Sequence, residues 1–495
     1  MSKPRPGVAP PALTESGGDD REELFLLAVH GLTAGDRFAE TTGDRFAERA
    51  ARVALDDDGW LCRFIDWTAE RDGLRPVALV AAAELVRARL AAGLFTSGGN
   101  RQVISGVLRR ADEPGRMLGY WFRRYGRSVP KPVKRGVADA VRVLYDERAV
   151  IAHDGRGGGV RFADVLKMTH PAPANAAQAD LFRHILLSRR RSAADVPASL
   201  PTLGAQAALY RLPQQERTRV LRGPGALDAL ERAAMTWDRL PRWLGRPLDA
   251  DAWATVLPLM DYRDRLRALR AFDEAGLDDR TVATVAAGLA DQDSVAQAGV
   301  LPLEILAAGR TTRSRRWDGA LERAADAALN RVPALPGRTL LLVDRSASMF
   351  TQVTRDSPVT VADQAAAFGA ALALRAEHAD LVQFGTAHAP VPFTRGEGLA
   401  EVAARFREMG DGNAAAVVGA CYRGHDRVAV VTDEPDGSAW DAGSPVDALP
   451  AGVPSYIWNV ASTARMPSPS PRHVFSGLTD AAFEAIPLIE ARSWR

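Results

Sequence analysis

An apolar run, Leu340-Leu341-Leu342-Val343, stops at Asp344-Arg345-Ser346-Ala347-Ser348, an Asp-x-Ser-x-Ser spacing at what reads as the carboxyl end of a strand. The unbroken apolar and β-branched residues from Thr339 to Val343 fit a strand buried on both faces of a parallel sheet. Open α/β sheets bind ligands beyond the carboxyl ends of such strands, so Asp344 emerges where a ligand would sit. Ser346 and Ser348 follow on the turn. One carboxylate and two hydroxyls form a partial octahedron of oxygen donors for a hard divalent cation such as Mg2+, with positions left for water or for a partner's carboxylate.

A second strand, Arg427–Thr432, runs into Asp433, and in a parallel sheet this brings a second acid to the same edge. Between the two strands the pattern alternates. A helical run is expected from Val359 to His378, a short strand from Asp380 to Phe384, a helix from Leu399 to Met409, then the loop Gly410-Asp411-Gly412-Asn413. Alternation of this kind predicts a doubly wound α/β layer.

On these residues, 337 to about 490 resembles a von Willebrand factor A domain with a metal-ion-dependent adhesion site. The resemblance implies a metal set of Asp344, Ser346, Ser348, Asn413 and Asp433. Asn413 stands where the family usually has a Thr, a neutral carbonyl of different reach.

With 495 residues the chain exceeds the size at which one core stops growing, so more than one domain is expected. No stretch reads as a signal peptide or as about 20 apolar residues in a row, and the expectation is a cytoplasmic protein away from membranes. Cys62 and Cys421 lie far apart, which excludes a disulfide framework or a thiolate zinc site and leaves them as small buried apolar residues.

The near-neutral balance conceals a division. Residues 1–335 carry 50 Lys and Arg against 43 Asp and Glu, whereas 336–495 carry 13 against 18, and 101–200 alone carry 19 against 9. In that basic segment Lys131, Lys134 and Lys167 stand among Arg109, Arg110, Arg116, Arg123, Arg124, Arg127, Arg135, Arg142, Arg148 and Arg161, with Tyr120, Trp121, Phe122 and Tyr125 between them. Cations for phosphates and π-faces for bases are what single-stranded nucleic acid requires. The alternative is a solvated helix surface over core aromatics.

The first 20 residues, rich in Pro, Gly, Ser and acids, read as disordered. Helices are then predicted over Glu22–Leu32, Phe46–Leu55, Trp60–Glu70, Pro76–Leu90, Gln102–Arg110 and Val133–Tyr145, several opening on Pro in the first turn. Helices joined by short loops suggest stacked pairs, and without a fixed period the reading stops at an irregular HEAT-like α-solenoid. The doubled Asp36–Glu40 and Asp44–Glu48 motif is too short to be an architectural repeat. Asp154-Gly155-Arg156-Gly157-Gly158-Gly159 lacks the order of a phosphate loop and reads as a connector, and Arg189-Arg190-Arg191 as a solvated helix end.

Residues 21 to 333 resemble the TROVE module of the Ro autoantigen family, and the resemblance continues through the A domain. It rests on Glu23–Val29, Leu79–Glu84, Arg110–Gly115, Pro130–Gly136, Phe162–Pro171, Met235–Trp237 and Val300–Leu303, taken in order. The resemblance implies a multidomain protein: a disordered tail (1–20), an all-α helical-repeat TROVE ring (21–335) and a von Willebrand factor A-like domain (336–495). It further implies a monomeric ring that binds non-coding RNA, both Y RNA-like small RNAs and the single-stranded 3′ ends of misfolded RNA. An exoribonuclease or an RNA ligase would be its protein partner in RNA quality control. Carried over by position, Lys134, Arg135, Lys167 and His170 match basic and histidine positions near the family's hole and Y RNA surface, and Arg313, Arg315 and Arg316 match a basic run before the A domain. With the segment's other cations, the candidate RNA contacts are Arg109, Arg110, Arg123, Arg124, Lys131, Lys134, Arg135, Lys167, His170, Arg313, Arg315 and Arg316. The animal members' Gly-rich opening is missing, which sets this chain closer to bacterial members.

His170 has two readings, an imidazole for RNA or a cap on the preceding helix. No H-E-x-x-H, G-x-S-x-G or C-x-x-C occurs, and His425 belongs at the far end of the Asp433 strand, so no enzyme is expected. The competing function is a protein-interaction adaptor that grips a partner through the metal. A metal-dependent phosphodiesterase ranks last.

Overall fold

The computed structural model describes all residues except 1–17, 33–42, 95–98, 155–159, 189–195, 313, 354–357, 412–413, 434–446, 461–471 and 494–495. Two compact units divide the chain at Pro247/Leu248, the second also taking in 32–34. The helical-to-α/β change near residue 335 therefore falls inside the second unit, where the helix Pro302–Thr311 packs on Val361–Arg375 and the helix Asp318–Leu329 on Leu399–Ala403.

The first unit is helical. Its helices are α1 (Gly18–His30), α2 (Gly43–Asp56), α3 (Asp58–Ala69), α4 (Arg75–Ala91), α5 (Asn100–Val107), α6 (Glu113–Tyr125), α7 (Lys131–Leu144), α8 (Glu147–His153), α9 (Phe162–Thr169), α10 (Ala176–Ser188), α11 (Pro201–Arg211), α12 (Gln214–Arg222), α13 (Ala226–Arg232) and α14 (Leu240–Leu244). The six helices predicted up to Tyr145 are all present within a few residues. Of the tail, 1–17 lie outside the described residues, whereas Gly18–Asp20 already open α1.

Aromatic residues spaced along α3 turn inward, with Trp60 stacked on Phe64 at 5.1 Å and Trp67 on Phe25 of α1 at 5.5 Å between ring centres. Helix α5 lies close on α7 because Gly136 has no side chain. A Cβ there would come within 2.6 Å of the Arg101 carbonyl and 2.7 Å of the Ile104 Cβ. The loop into α6 is built on one acid: buried Glu113 pairs with buried Arg75 and accepts from the Arg109 and Arg110 N–H groups at 2.7 and 3.0 Å.

The second unit begins with α15 (Ala250–Val256), α16 (Tyr262–Ala275), α17 (Asp279–Ala290), α18 (Gln292–Ala298), α19 (Pro302–Thr311) and α20 (Asp318–Leu329). Strands β1 (Leu335–Asp344), β2 (Ala376–Phe384), β3 (His388–Pro390), β4 (Arg427–Thr432), β5 (Ser455–Asn459) and β6 (Arg472–Ser476) form a single sheet in the order β3-β2-β1-β4-β5-β6. All neighbours are parallel except β2 and β3. Helices α21 (Val361–Arg375), α22 (Leu399–Ala403), α23 (Ala414–Cys421) and α24 (Ala485–Ser493) complete it.

Alternation along β1 divides its apolar side chains between two layers. Leu340 and Leu342 join Val417 and Val418 of α23 with Val428, Val430 and Ile457. On the other face Val343 meets α21 at Gly369, where a Cβ would approach the valine methyl to 2.5 Å. Phe368 lies between Trp458 and Phe483 at 4.9 and 4.7 Å.

The expected β1 and β4 are found where the sequence puts them. The expected helix from Val359 to His378 ends at Arg375, since Ala376 to His378 pair with β1 as the start of β2. The expected helix from Leu399 to Met409 ends at Ala403. Beyond it the backbone turns to the sheet: the Arg407 N–H donates to the Gln383 side chain at 2.7 Å, and Met409 exchanges bonds with Arg345 and Thr386.

At the sheet's other end, buried Arg427 pairs with Glu490 of α24, which also accepts from the Tyr456 hydroxyl at 3.2 Å. His473 on β6 stacks on Tyr456 at 5.3 Å, and burial pushes its imidazole down to about 4. Helix α19 starts at Leu301 without a side-chain cap of its own. Asp480 supplies one, accepting from the Leu303 and Glu304 N–H groups at 2.9 and 3.0 Å, and burial lifts this carboxyl to about 6.

Candidate functional site

The pairing of Val343 with Val431 places Asp344 beside Thr432, with Asp433 one residue further along. Asp344 is fully buried. Its Oδ1 accepts from the Ser346 N–H at 2.8 Å and its Oδ2 from the Thr432 hydroxyl at 2.6 Å. The Ser346 and Ser348 hydroxyls lie 3.1 Å apart, so both Asp-x-Ser-x-Ser oxygens converge as the spacing requires. Asp433 is half-buried at the same edge and, after burial itself, is among the influences that raise the Asp344 carboxyl above its ordinary value.

Among the described residues no cation pairs with Asp344, and no three His, Cys, Asp or Glu residues are grouped so as to hold a metal ion by themselves. Its neighbour Arg345 points elsewhere, donating to the Arg407 and Ala362 carbonyls. A buried carboxylate without a countercharge is costly, and a hard cation on an oxygen-only set would offset that cost. Asp344, Ser346, Ser348 and Asp433 fit such an ion. Asn413 lies outside the described residues. Sequence reasoning missed Thr432, although aligning the two strand ends brings it directly opposite Asp344.

The cationic candidates of the first unit divide by what they touch. Arg110 pairs with Asp112 at 3.3 Å, while Arg124 is bound to Asp44 and approaches Glu84 at 3.3 Å. Arg109 is exposed, with one guanidinium nitrogen 3.5 Å from the Ala69 carbonyl. By contrast Arg123, Lys131, Lys134, Arg135 and Lys167 make no ion pair among the described residues.

Lys131, Lys134 and Arg135 sit in the first turns of α7, at the spacing that puts side chains on one face. No acid accompanies them in that first turn, and the helix begins at Pro130 without a side-chain cap. Free backbone N–H groups, the positive end of the helix dipole and three unpaired cations share one end of α7. Helix α9 packs on both α6 and α7 and ends at exposed Lys167 and His170. His170 is the left-handed C-cap, with φ 47° and ψ 56°, and its backbone N–H donates to Leu166 at 3.0 Å. The capping is thus done by the main chain, and the imidazole is exposed.

The aromatic part of the sequence reading is corrected. Tyr120 and Trp121 are buried, with the Tyr120 hydroxyl bonded to Glu84 at 2.5 Å, and Tyr125 bonds the same acid. The core outcompetes bases for these rings. Phe122 is half-buried under Arg127, 5.8 Å from its ring centre. In the second unit Arg316 is engaged by the Leu277 carbonyl at 3.0 Å and Asp273 at 3.6 Å, while Arg315 is exposed. Arg313, the connector 155–159, Arg189–Arg191 and Asp36–Glu40 lie outside the described residues.

His425 is buried at the start of β4, its Nε2 2.6 Å from Asp380, at the sheet end opposite Asp344 as expected. Cys62 and Cys421 form no disulfide and are half-buried rather than fully enclosed, and the Cys62 sulfur accepts from the Arg89 guanidinium at 3.5 Å. No helix among the described residues is long and apolar enough to cross a membrane.

An array of short helices continued by a doubly wound α/β sheet, with oxygen donors gathered at its strand ends, defines the architecture of this chain. Neither protein families nor curated proteins match the chain. A solved structure has this fold: the crystal structure of the Ro (RSR) protein of Deinococcus radiodurans, similar with a TM-score of 0.70 at 19% identity, over 96% of this chain and 99% of that one.

Proposed function

We propose that this protein binds non-coding RNA at the amino-terminal face of α7 and carries a divalent cation, Mg2+ by its donor set, at Asp344, without chemical turnover. The observation that carries the reading is the trio Lys131, Lys134 and Arg135, unpaired on a helix end whose dipole already repels them. Such an arrangement is unfavourable until an anion arrives, and backbone N–H groups with cations are how phosphates are held.

His170 supports the reading. A non-glycine residue in left-handed conformation costs about 1 kcal/mol or more, and here it holds an exposed imidazole at the end of α9. Within this proposal the RNA is structured with an unpaired 3′ end, of the Y RNA or misfolded type. The protein serves as a ribonucleoprotein scaffold for an exoribonuclease or a ligase. The fold shared with the Ro (RSR) protein supports this assignment.

The test is fluorescence anisotropy with a hairpin RNA bearing a single-stranded 3′ tail. Affinity is expected to fall steeply with salt, and the double variant Lys134→Glu, Arg135→Glu to lower the salt slope by about 2. An unchanged slope removes α7 from the interface. The adaptor reading is favoured by the convergence of the Ser346 and Ser348 hydroxyls beside Asp344 and predicts chelator-sensitive capture of an acidic protein by a variant that no longer binds RNA.

A further inference from the structure

Arg345 is buried, with 6% of its surface exposed, and borders a cavity of about 370 Å3 between α19, α20, α21 and α22. The guanidinium spends two nitrogens on main chain: Nε donates to the Arg407 carbonyl at 3.1 Å and Nη1 to that of Ala362 at 2.6 Å. It lies over the rings of Phe350 and Phe406, at 4.7 and 5.9 Å. Among the described residues Nη2 has no hydrogen-bond partner and no carboxylate pairs with the side chain. Asp363, an acid of the lining that acts on Arg345 through space, is committed to Arg310 at 2.9 Å and to the Thr360 cap of α21. A buried arginine keeps its charge; Asp363, Asp344 and Glu408 act on it through space, but none of them pairs with it directly, so the free edge of the guanidinium is left for an anion.

The rest of the lining gives the other half of the ligand. Leu306, Leu321, Ala367, Ala403 and Phe406 present apolar surface, and the volume falls in the lower part of the 300 to 1,000 Å3 typical of small-molecule sites. Exposed Asp318 and Glu322 border the cavity and oppose a second negative charge. We infer that the cavity binds a small monocarboxylate with an apolar body, its carboxylate on the Arg345 guanidinium and its chain against α20, α21 and α22. A guanidinium fork matches a carboxylate, while a dianionic phosphate would meet those two acids.

This site is separate from the strand-end oxygens and does not rest on RNA binding. It does share a backbone with them. Arg345 directly follows Asp344, its N–H donates to the Phe384 carbonyl at 2.8 Å, and its own carbonyl accepts from Met409 at 2.9 Å.

Isothermal titration calorimetry of the full chain with octanoate, 1-octanol and octylammonium tests the assignment. Octanoate is expected to bind, with the alcohol and the amine weaker by about tenfold or more, since they lack the charge that pairs with arginine. Arg345→Met, folded by circular dichroism, is expected to lose about tenfold in octanoate affinity. Should that variant not fold, Ala403→Phe, which fills the cavity and keeps the arginine, is expected to abolish octanoate heat. No octanoate binding up to about 5 mM, equal binding of 1-octanol, or undiminished binding in either folded variant would overturn the inference.

Discussion

The oxygen donors at the strand ends and the basic face of the helical unit present charge in opposite ways. At the strand ends each donor is fixed by backbone register: Asp344 and Thr432 are opposite because Val343 pairs with Val431, and Ser346 and Ser348 follow on the turn. On the helices each cation depends on its own neighbours. Arg124 is drawn onto Asp44 and Glu84, while Lys131, Lys134 and Arg135, within the same segment of chain, remain unpaired. A sheet edge can therefore assemble a site from a short motif, whereas a helical surface is defined by which charges the fold has already used.

The comparison is first probed by acid. His473 has a folded value near 4 against an ordinary value of 6.5, so its contribution is fully present above pH 6.5 and is lost as pH falls from there to 4. The loss amounts to about 3 kcal/mol by that difference. Urea unfolding of the second unit at pH 7 and pH 4.5 is expected to show it in the wild type and not in His473→Phe. A helical unit that weakens in parallel, with His473→Phe unchanged, would show that the sheet is not where acid acts.

Next in size, Lys134→Glu with Arg135→Glu is expected to weaken RNA binding about 100-fold near 0.15 M salt, while Mg2+ stabilisation persists. Asp344→Asn should show the converse. Wild-type protein gains about 2 to 3 kcal/mol at a Mg2+ concentration 100 times Kd, the variant gains none, and RNA affinity is kept. Scanning calorimetry with Mg2+ and with EDTA separates them. If one variant abolishes both effects, the two sites are a single coupled device. The smallest effect sharpens the view of the aromatics: Tyr120→Phe removes one buried bond to Glu84, costs about 1 kcal/mol in stability and leaves RNA affinity untouched.

What could be read from the sequence follows the same division. The Leu340–Val343 run, the Asp-x-Ser-x-Ser turn and the Arg427–Thr432 strand carry their own pattern, so both strands and the convergence of Asp344, Ser346 and Ser348 were legible, and the expected strand Asp380–Phe384 is the second half of β2. Strand β5, Ser455–Asn459, is wholly buried yet begins and ends on polar residues, and β6 carries Arg472 and His473 among its five residues. Their strand character comes from pairing with β4 and with each other, which no local pattern reports. The end of α22 at Ala403 is likewise set by bonds that Arg407 and Met409 make to the sheet. Among the cations, composition located the basic segment. Only three-dimensional pairing separated Arg124 and Arg316, which brace the fold, from Lys131, Lys134 and Arg135. Trp121 and Tyr120 misled because an aromatic beside an arginine looks the same in sequence whether it faces solvent or core.

The cap on α19 has a consequence for how the chain is made. Ribosomes release it from the amino end, so Leu303 and Glu304 leave the exit tunnel with amide hydrogens whose acceptor, Asp480, is 177 and 176 residues downstream. Until that stretch has been synthesised, the start of α19 lacks its acceptor and stays frayed. Maturation of this half is thereby tied to near-completion of translation, and a ribosome stalled ahead of residue 480 would display an unfinished helix to the chaperones waiting there.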